Sequence, residues 1–91
     1  MTMRMDSKVH GTLVRNKDGR EIPEDEFIVF RPSDNACLQM LGYYRGLVGN
    51  QGASAEQLQA VDDLIIRVAA WRTAHPERCK VADVQPGELQ T

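Results

Sequence analysis

The sequence is short of aromatic rings, of cysteine, of long apolar runs and of surplus positive charge. Each shortage removes a class of function. Aromatic residues make up 5% of the chain, so the core has to be aliphatic. Two cysteines, Cys37 and Cys79, do not make the multi-bridge framework of a small secreted scaffold, and reduced thiols are expected. No apolar run approaches the roughly 18 residues that a membrane span requires. Met1 to Lys8 carries no apolar signal segment. A formal net charge of −2 lacks the basic excess of a chain built to grip nucleic acid. There is no phosphate-cradling glycine loop, no serine elbow and no metalloprotease pattern, so an enzyme is not expected. His10, Cys37, His75 and Cys79 invite a zinc reading. Pro76 spoils the helical spacing of His75 and Cys79, and no Cys-x-x-Cys pair exists, so neither metal nor cofactor is expected. Together these absences point to a cytoplasmic protein.

What is present is 91 residues, 42% of them hydrophobic. That is enough for one modest domain. We expect a flexible start at 1–7, a single α+β domain over 8–84 and a flexible tail at 85–91. Val9 to Arg15 favours a strand through Thr12, Leu13 and Val14, with Gly11 marking a bulge or a close approach. Asn16-Lys17-Asp18-Gly19 is a turn. The strand resumes at Arg20 to Ile22, and Pro23 breaks it before an acidic corner, Glu24-Asp25-Glu26. With Glu21 this acidic set reads as a solvated turn. Phe27 to Phe30, four apolar residues in a row, predicts a second strand buried on both faces, one under a helix and the other under a second copy of the chain. The hairpin strands are thus expected at about 8–15 and 26–31.

Two antiparallel helices should follow and pack on the hairpin. Pro32 biases Arg31 toward extended geometry. Ser33 is the expected N-cap, with Asp34 in the first turn. Cys37, Met40, Leu41, Tyr44, Leu47 and Val48 recur at helical spacing over an arc of about 120°, until Gly49, Asn50 and Gly52 end the helix. Cys37, on this stripe, reads as a small core residue and not as a nucleophile. Ser54 to Gln57 resembles a capping box opening a second helix over about 55–75. Leu58, Val61, Ile65, Val68 and Arg72 share one line there, with Leu64 and Trp71 beside it. That arc is about 160° wide, more than one small helix covers. Asp63 and Arg67, four apart, are expected to pair, and Pro76 ends the helix.

One constellation suits a nucleotide-like anion at the strand-to-helix junction. A helix N-terminus offers free N–H groups, Arg31 a guanidinium fork and Ser33 a hydroxyl. Tyr43 or Tyr44 would stack on a base, and Arg45 would reach a second phosphate. The competing structural reading pairs Arg31 with Asp34 or with the acidic corner and leaves the tyrosines as core and interface. Gly42 and Gly46, one turn apart on the face opposite the apolar stripe, each cost a helix roughly 1 kcal/mol relative to Ala. Close helix contact between protomers would offset that. Gly42, Gly46, Leu64 and Trp71 are therefore the expected oligomer interface, in a two-fold dimer at its simplest.

The run from Arg15 to Asp34, with its continuation to Tyr43-Tyr44, resembles small uncharacterised phage and prophage proteins. These carry an Asp-Gly turn, Ile-Pro-x-Asp-Glu, an apolar strand ending in Arg, and a Tyr-bearing helix. Arg78-Cys-Lys-Val-Ala-Asp83 is similar to their closing segment. The resemblance implies a phage-type accessory protein in the host-cell cytoplasm. The expected activity is non-enzymatic: antagonism of host defence by sequestering a phosphate-bearing nucleotide at a subunit interface. The alternative is a protein-binding inhibitor of a host factor, acting through an acidic and apolar surface.

Overall fold

The computed structural model describes residues 3–81. In order come β1 (Leu13–Val14), β2 (Glu21–Ile22), a 3-10 turn at Glu24–Glu26, α1 (Cys37–Asn50), α2 (Ala55–Ala74) and a 3-10 turn at Pro76–Arg78. An N-terminal antiparallel hairpin followed by two helices is an α+β arrangement, as expected. The chain divides into two compact units at the Val29–Phe30 bond.

In the first unit, Leu13 pairs with Ile22 and Val14 with Glu21. The ribbon is closed by the expected turn. Arg15 N–H donates to Arg20 O (2.8 Å) and Gly19 N–H to Arg15 O (2.9 Å). Asp18 braces the turn by accepting from Arg20 N–H (3.1 Å) and from the Arg15 guanidinium. That guanidinium holds the Asp18 carboxyl below its ordinary value. Gly19 has φ +72 and Gly11 φ +130, left-handed geometry that glycine adopts at no steric cost.

The expected second strand at 26–31 is not formed, and the hairpin closes on Glu21–Ile22 instead. The local turn explains the difference, because Asp18-Gly19 brings the chain straight back and the nearest extended residues follow at once. Phe27 to Phe30 pairs with no strand among the described residues. Its burial nevertheless alternates at the period of a strand: Phe27 is 8% exposed, Ile28 59% and Phe30 51%, with Val29 half-buried between them.

Asp6 organises the start of the chain. Its Oδ1 accepts from Lys8 N–H (2.9 Å) and Val9 N–H (2.7 Å), and its Oδ2 from Val29 N–H (2.7 Å). These bonds, led by that from Lys8, lower its carboxyl pKa. Met5 N–H donates to Glu24 O (3.0 Å). Met5 and Asp6 are thus tied down within the stretch expected to be loose, while the expected tail, 85–91, and Val84 lie outside the described residues.

In the second unit, α1 begins four residues later than Ser33. Ser33 is not the N-cap, since helical geometry starts only at Cys37. Asp34 turns the chain first: its Oδ1 accepts from Ala36 N–H (2.8 Å) and its carbonyl from Cys37 N–H (3.0 Å). The short Asp side chain bonds its own backbone two residues on, an Asx turn that competes with helix. At the other end, Ala53 N–H donates to Val48 O (2.9 Å) and Gly52 N–H to Gly49 O (3.2 Å). Gly52 sits at φ +88. This is a Schellman closure, with glycine supplying the left-handed residue. Ser54 then caps α2 as expected, accepting from Gln57 N–H (3.1 Å). The expected Asp63–Arg67 pair is not made. Asp63 takes a hydrogen bond from Gln59 Nε2 (2.9 Å) one turn earlier.

The two helices run antiparallel. Successive pairs step up one helix and down the other. Asn35 Oδ1 meets Arg72 (2.9 Å), Arg45 meets Asp62 (2.9 Å), and Leu58 lies 3.8 Å from the Cβ position of Gly49. Cys37, Val61 and Val68 are the buried residues between them. Arg72, on the apolar line of α2, donates to Pro32 O (3.0 Å) and Asp34 O (3.1 Å) as well. Lys80 N–H donates to Ser33 O and its carbonyl accepts from Asn35 N–H, both at 2.9 Å. The start of α1 is thus fastened to the end of α2 and to the segment that follows it.

Candidate functional site

An antiparallel helix pair has two seams, and helical spacing says which residues border each. Tyr44 and Arg45 stand about 100° apart and straddle the inward stripe of Cys37, Leu41 and Val48. On α2, Asp62 and Leu64 straddle the line of Val61, Ile65 and Val68 in the same way. Arg45 Nε donates to Asp62 Oδ1 (2.9 Å) and its Nη2 to Oδ2 (3.3 Å). This fork-to-fork pair closes one seam with charge. It lowers the Asp62 carboxyl and raises the Arg45 guanidinium. Tyr44 and Leu64 must therefore border the other seam, together with Leu47, Tyr43 and Trp71. All but Trp71 are exposed, Tyr43 at 73% and Tyr44 at 46%.

The expected anion set does not gather at one point of the helical unit. Arg31 is exposed, and Ser33 spends its carbonyl on Lys80. Asp34 already fills the anion position at the start of α1 by accepting from Ala36 N–H. Tyr43 and Tyr44 lie at least about 10 Å further along the helix axis. Arg45 is committed to Asp62 on the opposite seam.

The four expected interface residues divide between two sides. Gly42 and Gly46 follow Arg45 on the ion-pair side, and a Cβ at either would meet nothing within 4 Å. Leu64 and Trp71 belong to the apolar seam. The indole expected to be covered by assembly is half-buried and already has partners in its own chain. His75 stacks on it at 4.4 Å between centroids, and the Arg78 guanidinium carbon sits 5.2 Å from the ring centre. His75 Nδ1 lies 2.9 Å from Trp71 O. A carbonyl only accepts, so Nδ1 carries the proton.

The remaining groups offer little chemistry. Burial pushes the Cys37 thiol up, with the Asp34 charge adding to it. That is the reverse of an activated nucleophile. Cys79 Sγ donates to His75 O (3.4 Å). Among the described residues no three His, Cys, Asp or Glu side chains come together as a metal site, and no helix is long and apolar enough to cross a membrane. In the hairpin unit, Gly11, Thr12, Glu21, Ile22, Pro23 and Glu24 line an open depression. Glu24 Oε2 is buried without a hydrogen-bond partner among the described residues.

Sequence reading missed Asp62, whose partnership with Arg45 becomes visible once both helices are folded about the Gly52 turn. It also missed Asp6, whose bonds to Lys8 and Val9 are local but whose bond to Val29 is not legible in local sequence. Comparison with protein-family models, with curated proteins and with solved structures gives no match for this chain.

Proposed function

We propose that this chain is a non-enzymatic, phage-type accessory protein that assembles with its own copies and inhibits a host protein through the apolar seam of its helix pair. One observation carries this reading. The seam opposite the Arg45–Asp62 pair leaves Tyr43, Tyr44, Leu47 and Leu64 exposed, while among the described residues the helical unit buries only Cys37, Val61 and Val68. Large apolar side chains left in water along one line mark a contact surface, and tyrosine is favoured at such contacts. The test compares the wild-type chain with Leu64→Asp after circular dichroism shows equal helix content. A stoichiometric host protein retained by the wild type and lost with Leu64→Asp supports the reading. Equal retention by both, or by neither, overturns it.

A second reading keeps the nucleotide ligand. It rests on the exposure of Tyr43 and of Arg31, for which no ion pair is formed among the described residues. Two copies would have to bring these groups together, since one chain holds them apart. A thermal-shift series with linear and cyclic nucleotides decides it. A rise in melting temperature that Tyr43→Ala abolishes supports sequestration, and an unchanged melting temperature with every nucleotide excludes it.

A further inference from the structure

We propose that residues 27–31 of two copies pair as antiparallel strands about a two-fold axis at Val29, so that Ile28 of one copy and Phe30 of the other exchange both backbone hydrogen bonds. The inference rests on the self-association reading and names the surface that does it.

The run begins extended and carries the burial period of a strand. Phe27 is extended (φ −134, ψ 152), Arg31 precedes a proline, and burial alternates along Phe27, Ile28, Val29 and Phe30. Along a strand, backbone groups of successive residues point to opposite edges. Val29 N–H is taken by Asp6 Oδ2, so the Val29 edge is occupied. The backbone N–H and C=O of Ile28 and Phe30 make no hydrogen bond among the described residues. That is an open edge bearing two exposed apolar side chains, the arrangement that invites strand pairing.

The register follows from which groups are free. Two-fold antiparallel pairing must centre on a residue, because opposed side chains share a face of the sheet. Centring on Ile28 would pair Phe30 with Glu26, whose N–H already donates to Pro23 O (2.9 Å). Centring on Phe30 would pair Ile28 with Pro32, which has no N–H. Centring on Val29 uses only free groups. It makes two hydrogen-bonded Ile28–Phe30 pairs, four bonds in all by the geometry of an antiparallel ladder. It also gathers two Ile28 and two Phe30 side chains on one face.

Charge favours a second copy over an unrelated strand. The run is acidic before it, at Glu24-Asp25-Glu26, and basic after it, at Arg31. Antiparallel pairing lays the acidic corner of each copy beside Arg31 of the other, twice per dimer. Arg31, exposed and without an ion pair among the described residues, would gain one.

The test is a charge exchange read by light scattering on the full chain. Arg31→Glu alone, and Asp25→Lys with Glu26→Lys, should each weaken the dimer more than tenfold, since each then opposes like charges at both ends. Mixed in equal amounts, the two variants should form a one-to-one dimer, because every contact again joins opposite charges. Recovery on mixing also shows that neither variant had merely failed to fold. Ile28→Pro, which removes a free N–H at the open edge, should give a folded single chain. If the wild-type protein is a dimer and the charge variants remain dimers, or fail to recover on mixing, the strand pairing is wrong and self-association stands. If the wild-type protein is a single 10.2 kDa species, both fail.

Discussion

Asp6 orders the start of the hairpin unit. One carboxylate satisfies three backbone N–H groups, two of them next door and one at Val29. Asp6→Asn keeps one acceptor and turns an NH2 toward a backbone N–H. The expected cost is about 1 kcal/mol, at the low end for charged hydrogen bonds because the site is partly open to water. The sign with pH is fixed by the lowered folded pKa. The contribution is complete above the ordinary carboxylate value of 3.8 and is lost as pH falls through the lowered folded value. Melting curves at descending pH should therefore converge for wild type and Asp6→Asn in acid. Curves that stay separated there would contradict this assignment. The two thiols make a second comparison. Cys37 is buried with its thiol pushed up, whereas Cys79 is half-buried. A thiol reagent at neutral pH should modify Cys79 first and Cys37 only as the helices open. Equal rates would mean that the helix pair does not protect its own centre.

At the level of elements, three of the four helix ends are legible in the sequence, and the strand ends are not. Ser54, Gly52 and Pro76 carry their own local chemistry, and the chain obeys it at each place. The start of α1 was misread at Ser33 because Asp34 offers the backbone a turn that outcompetes a cap one residue earlier. The strand at Phe27–Phe30 was misread for a different reason. Its apolar pattern reports that it wants pairing but not with what, and the Asp18-Gly19 turn gave β1 a nearer partner. The expected anion set is not gathered within one helical unit, because Arg45 pairs with Asp62 across the seam. Arg72, which shares the apolar line of α2, joins the end of α2 to the turn before α1. Arg72→Leu leaves the carbonyls of Pro32 and Asp34 without this donor and should cost about 2 kcal/mol, while Arg72→Lys recovers only part because an ammonium lacks the planar fork. Chemical denaturation of the three proteins reads this. A Leu variant as stable as wild type would show that water replaces the guanidinium.

For the whole molecule, the balance of buried and exposed apolar residues decides the argument. Phe27, Cys37, Val61 and Val68 are the buried hydrophobic residues described, whereas Ile28, Phe30, Tyr43, Tyr44, Leu47 and Leu64 face water. Small chains with a thin core commonly gain stability by association, and an interface adds stability that grows with protein concentration. The melting temperature should therefore rise with concentration. The wide apolar arc of α2 signalled this surplus in the sequence, but not where it would lie, because the side on which Arg45 pairs is set only when α1 and α2 are folded together. The most direct measurement is sedimentation equilibrium of the unmodified chain across the micromolar range. The account predicts a mass approaching twice 10.2 kDa that falls on dilution. A constant 10.2 kDa species at every concentration would contradict it.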